Sequence, residues 1–284
     1  MIRYLLPVQE IDMGGIPILQ ALPTQRVEQV DPYLLLHHGV IHTNPLTDAM
    51  HQGVGPHPHR GFSPVTFVIE GAIHHRDSRG HNQIARAGEV QWMHAGAGIV
   101  HSERPTPELV ASGGHQEIIQ LWINSPASAK MKTPTYQYLA EEEIPTWSAE
   151  EGIRIKLVAG TYDGHQIATE TQSPLLILWV EAEAGSTWTL DIPTEMNASI
   201  YTIKGGISIE GFGRVDARTL AVAQEGLDQL SIEAVESGQF LVLAGAPIGE
   251  KVTQWGPYVM NSQTEIMEAL RDYQMGKMGV LIEE

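Results

Sequence analysis

Cysteine is absent from all 284 positions, which excludes disulfide staples, thiolate nucleophiles and cysteine-based zinc or iron–sulfur sites. Any bound metal must therefore sit on nitrogen and oxygen. Basic residues are scarce: 17 Lys and Arg against 34 Asp and Glu give a formal net charge of -17. Nucleic-acid affinity rests on Lys and Arg neutralising phosphates, so no direct nucleic-acid partner is expected. Long apolar runs are missing as well. No stretch of eighteen apolar residues occurs, and the opening "MIRYLLPVQEIDMGG" has too short an apolar run, broken by Pro7, for a signal peptide. The expectation is a soluble cytoplasmic protein with no membrane partner. Aromatic residues make up only 6%, so a ligand pocket lined by stacked rings is not implied.

What is present points to β-structure. Charged residues are 18% while Gly and Pro number 28 and 17, a balance that favours short strands and turns over long charged helices. The length suits one large or two medium domains, and a 42% hydrophobic content suffices for a sizeable core. From "FSPVTFVIEG" to "HQEIIQLWIN", runs rich in Val, Ile, Phe and Trp are punctuated by Gly and Asp or Ser clusters, as in antiparallel hairpins. Residues 124–152, rich in Pro and acids, read as a connector. The boundary falls near residue 140, dividing the chain into 1–140 and 141–284. Strand-length runs resume with "IRIKLVAG", and "YTIKGGISIEG" echoes "TFVIEGAIHHRD" as strand, Gly turn, strand. A helix closes the chain. Ser262 and Glu265 form a capping box, Ile266, Ala269, Leu270 and Tyr273 make one apolar stripe, and Gly276 ends it.

Twelve of the 13 histidines precede residue 116, leaving only His165 beyond, so any imidazole site belongs to the first half. One H-x-H triplet occurs, His57 with His59, and two H-x-E pairs, His101 with Glu103 and His115 with Glu117. Composition alone yields about 0.6 H-x-H by chance, so spacing must be weighed with context. In a strand, residues i and i+2 share a face, so His57 and His59 point together, as do His101 and Glu103. Glycines at 53, 55, 88, 96 and 98 place both pairs at turn-flanked short strands. Such a set offers three imidazoles and one carboxylate to a divalent ion, which suits Fe, Mn, Co, Ni or Cu better than Mg or Ca. His115 and Glu117 read instead as the start of a strand whose face continues through Ile119, Leu121 and Ile123. The alternative is that all these histidines are surface or core-edge groups.

The stretches "HPHRGF" (57–62), "HRDSRGH" (75–81), "GEVQWMHAGAGIVHSE" (88–103), "QLWIN" (120–124) and "QWGPYVMNSQTEI" (254–266) together resemble the pirin family of the cupin superfamily. The resemblance implies an all-β bicupin, two jelly-roll-like β-barrels face to face with a C-terminal helix. The metal would lie in the N-terminal barrel (1–140), and the C-terminal one (141–284) would be degenerate. It implies His57, His59, His101 and Glu103 as ligands of one divalent transition metal, usually iron. It further implies quercetin 2,3-dioxygenase-like turnover of a flavonol with O2, Glu103 serving also as general base. The alternative it carries is a metal-dependent regulator that binds a protein partner without turnover, and on either reading the chain is expected to be a monomer. Ser63 and Pro64 stand where the general cupin pattern has a glutamate, which leaves the carboxylate to Glu103. Among the remaining residues, His94 reads as a neighbour of the ligands or as exposed, and at most one of His74 and His75 faces inward. Trp92 and Trp122 read as core, and Arg60 as the partner of an acid.

Overall fold

The computed structural model describes residues 1–283 and divides the chain into two compact units. One comprises Glu10–Ile18, Leu35–Glu141 and the segment from Gly249 onward; the other comprises Met1–Gln9, Leu19–Leu34 and Glu142–Ile248. The partition changes near residue 141, where the sequence suggests a boundary, but both chain ends cross over. Strand Ile2–Pro7 pairs with Thr219–Ala223 in the second half. Helix Gln263–Gln274, expected to close the C-terminal half, belongs to the histidine-bearing unit. The reason is its apolar stripe: Ile266 and Ala269, both fully buried, cluster with Val100, Tyr258 and Met260. Burying one aliphatic side chain of this kind contributes roughly 2 kcal/mol. The helix begins as its sequence indicates, Ser262 accepting from the Glu265 backbone N–H.

Two antiparallel sheets carry the histidine-bearing half. The larger runs Thr135–Leu139, Val90–His94, Phe62–Glu70, His115–Asn124, Tyr33–His42, Pro17–Leu22, Gln9–Asp12. The smaller runs Val54–His59, Ile99–Pro105, Ala72–Asp77, Asn82–Arg86. Residues 124–152 are not a bare connector. Thr135–Leu139 pairs with Val90–His94, and Thr146–Glu150 with Ile153–Ala159. Tertiary pairing recruits these short runs although prolines flank them, because the edges of both sheets would otherwise leave backbone groups unpaired.

The other half is built on a nine-stranded antiparallel sheet whose longest members are Asn197–Ile209 and Gln229–Gly245. Thr187–Asp191 shows the period-two rule plainly, Trp188 and Leu190 being buried between three exposed neighbours. Side chains such as Leu178, Val180, Ile200, Phe240 and Val242 fill its interior. The expected sequence echo takes a different form in the two halves. Phe62–Glu70 and Ala72–Asp77 are separate strands joined at Gly71, whereas the second-half counterpart stays one strand that bulges around Gly205. No helix among the described residues is long and apolar enough to cross a membrane.

Candidate metal centre

Strand pairing brings the sequence-selected histidines together. Val54–His59 lies antiparallel to Ile99–Pro105 with His57 directly opposite His101, and His59 follows two residues on, on the same face. One ring nitrogen from each of His57, His59 and His101 lies within 4.8 Å of the other two. The ring centroids are 4.3 to 4.9 Å apart. Among the described residues no other group of three His, Asp or Glu converges in this way. In the second half the interior is occupied by apolar side chains instead.

The second nitrogen of each ring settles which one is free to bind. His57 Nδ1 lies 2.8 Å from the Gly55 carbonyl oxygen, and His59 Nδ1 lies 3.3 Å from that of Pro257. A carbonyl only accepts, so both Nδ1 atoms carry the proton and both Nε2 atoms present lone pairs. His101 reaches the same state through a relay. Asp77 Oδ2 accepts from His75 Nε2 at 3.1 Å, so His75 Nδ1 is placed to accept from His101 Nδ1–H, 3.4 Å away. His101 Nε2 is then buried without a hydrogen-bond partner. Three lone pairs thus face one point, and His57 Nε2 and His59 Nε2 are 3.1 Å apart. Two ligand nitrogens ~2.1 Å from a common ion and at right angles would lie about 3.0 Å apart. An orphaned buried nitrogen and two unprotonated nitrogens at ligand–ligand spacing fit a divalent cation. Burial first, then the mutual repulsion of the rings, pushes His59 and His101 well below the ordinary imidazole range, which keeps them neutral and able to ligate.

Glu103 stands apart from the converging group. Its carboxylate, buried at 7% exposure, accepts from Thr66 Oγ1 at 3.0 Å and from Gln120 Nε2 at 2.7 Å. The group within 4.8 Å consists of the three imidazoles, without this carboxylate. Glu103 does line the same cavity as His57 and His59. That cavity, of about 190 Å³, is walled mainly by apolar groups including Ile18, Ile41, Ile73 and Ile118. Its polar lining includes His37, Gln116 and Gln120. Burial lowers the His37 imidazole to about 4, so it stays neutral at physiological pH.

Other sequence expectations divide. His75 faces inward toward His101 and Tyr136, while His74 bonds Asn82 at the periphery. Arg60 pairs with Asp272 at 3.1 Å. His115 and Glu117 open their strand and take Glu70 and His38 as partners. His94 is not exposed: it is buried against Ser63 and the Ala129 carbonyl. Trp122, expected in the core, lines the cavity and meets the His59 ring edge-on. Sequence reading missed the whole Gln116, Ile118, Gln120, Trp122 face. Its alternation of polar and apolar residues looks like a solvated strand face, and no sequence signal marks that a cavity lies over it.

Comparison with known proteins adds the relatives. Residues 15–123 match the family model described as Pirin, and residues 177–279 the one described as Pirin C-terminal cupin domain. Pirin-1 of Arabidopsis thaliana is 38% identical over 256 residues, 88% of this chain and 84% of its own. Pirin of Homo sapiens is 33% identical over 271 residues, 93% of this chain and 89% of its own. A crystal structure of quercetin 2,3-dioxygenase from Acinetobacter baumannii superimposes with a TM-score of 0.91 at 33% identity, over 99% of both chains.

Proposed function

The chain belongs to the pirin family and carries two cupin-type domains, and from that footing we propose that it is a metal-dependent dioxygenase acting on a flavonol such as quercetin. The observation that carries this reading is the convergence of three imidazoles, two of which, His57 and His59, line an apolar cavity that also holds a carboxylate. His57, His59 and His101 would hold the ion, with Glu103 as the fourth ligand. A divalent transition ion, iron foremost, supplies Lewis acidity and electron exchange with O2 when bound.

The chain's own residues do the rest. Isoleucines 18, 41, 73 and 118 take up the flat apolar body of the substrate and keep water out. Trp122 limits the space beside His59. Glu103 accepts the proton of the acidic hydroxyl, since two neutral donors, Thr66 and Gln120, fix its orientation and leave lone pairs on both oxygens. Lys and Arg are absent from the cavity lining, so no ammonium or guanidinium competes for that carboxylate.

The test is loss of flavonol absorbance, with carbon monoxide release, by protein loaded separately with Fe, Mn, Co, Ni or Cu. Turnover with at least one ion is expected. Full metal occupancy without turnover for any of the five would remove the flavonol reading.

A further inference from the structure

One buried polar group on the cavity wall is used by neither the metal cluster nor Glu103. Gln116 is 2% exposed, lines the cavity, and its side-chain carbonyl oxygen has no hydrogen-bond partner. A buried carbonyl left unpaired is costly, and an apolar cavity makes it more so. The same strand explains where that oxygen stands relative to the metal. Gln116, Ile118, Gln120 and Trp122 alternate along one face of His115–Asn124, and all four line the cavity. Gln120 is committed at the metal end: its amide donates to Glu103 and its carbonyl accepts the Trp122 indole N–H at 3.2 Å. Gln116 lies four residues earlier, ~14 Å along the strand.

Between the two glutamines the lining is apolar at Ile118. Gly39 lines this stretch without a left-handed φ, so the position needs glycine for room and not for backbone freedom. A Cβ there would come within 3.3 Å of Ile18 Cδ1 and 3.4 Å of Ile118 Cγ1. Along this strand face the cavity lining is thus polar at Gln116 and Gln120 and apolar at Ile118 between them.

We propose that Gln116 is a specificity-determining residue that hydrogen-bonds a hydroxyl at the end of an elongated aromatic ligand remote from Glu103. The inference rests on the cavity reading above and narrows it: flavonols hydroxylated on the ring distal to the 3-hydroxyl are preferred over those without that group.

The experiment is calorimetric binding to the full chain. Zinc-loaded protein, which holds a redox-silent ion, is titrated with 3-hydroxyflavone and with 3,7-dihydroxyflavone. Metal-free protein is titrated with naphthalene and with 2-naphthol. The wild type should favour each hydroxylated member about fivefold. Gln116→Leu should bind both members of a pair alike while keeping the affinity for the unhydroxylated one, and Gln116→Met serves should the leucine variant fold poorly. Failure of both flavonols to bind, with the 2-naphthol preference present and dependent on Gln116, sinks the flavonol substrate and leaves this inference standing. No preference in the wild type, a preference that survives both substitutions, or no binding of any of the four probes overturns it.

Discussion

Lys130 offers the sharpest test of how the histidine-bearing strand is supported. Its side chain is 1% exposed and its ammonium donates to three acceptors: the Gly61 carbonyl at 2.7 Å, Asn124 Oδ1 at 2.7 Å and the Val259 carbonyl at 3.0 Å. Gly61 lies two residues after His59, so the lysine ties the end of the histidine-bearing strand to two other segments. Burial lowers its pKa from 10.5 to about 8, partly offset by Glu250 and Glu265. That shift corresponds to roughly 3 kcal/mol spent on keeping the charge buried. Hydrogen bonds from a charged donor contribute about 1.5–3 kcal/mol each. Lys130→Met should therefore lose about 6 kcal/mol of hydrogen bonding, recover roughly 3, and be destabilised by about 3 kcal/mol at pH 7. The pH dependence has a definite sign. Between pH 8 and 10.5 the unfolded lysine holds a proton that the folded one has released, so wild-type stability rises with pH there. The gain over Lys130→Met approaches ~1.4 kcal/mol per pH unit midway between the two pKa values, where nearly one full proton separates the folded and unfolded states. Below pH 8 the gap is flat. Urea unfolding of both proteins from pH 7 to 10.5 measures it, and a gap that stays constant or narrows above pH 8 would refute the reasoning.

Other expectations follow from the same geometry. His59→Ala removes one of the converging nitrogens and should cost most of the metal content by elemental analysis; unchanged content would contradict the assignment. His75→Phe keeps the ring stacked on Tyr136 but takes away the acceptor that holds the His101 proton on Nδ1. Metal affinity, measured against a competing chelator, should fall about 10- to 100-fold, while melting of the metal-free protein changes little. Gly61 has φ +89 and a Cβ there would meet the Val259 carbonyl oxygen at 2.0 Å. Gly61→Ala should cost on the order of 3 kcal/mol in chemical denaturation, and a loss below 1 would show that the contact yields easily.

The histidine pair is legible in the sequence because the period of two is local: His57 and His59 must share a face wherever their strand goes. The same holds for the final helix, whose Ser262 and Glu265 lie within one turn. Less legible is everything set by pairing between distant segments. The membership of Ile2–Pro7 and of the closing helix depends on partners some 200 residues away, and nothing in either segment names them. Thr135–Leu139 is a strand only because Val90–His94 needs an edge partner. Glu103 shows the limit in another way. Its two-residue spacing from His101 predicts a shared face, but not that Thr66 and Gln120 would each donate to one of its oxygens.

The crossing of the chain ends has a consequence for biosynthesis. The carbonyl that fixes the His59 ring comes from Pro257, and Tyr258, Met260 and Ile266 seal the same region. A ribosome releases these residues only after the other domain has been translated in full, so the first half, though made first, cannot mature first. Of its three rings, His59 waits for the last tenth of the polypeptide to supply its partner, and a stalled or prematurely ended translation product would lack the carbonyl that orients it.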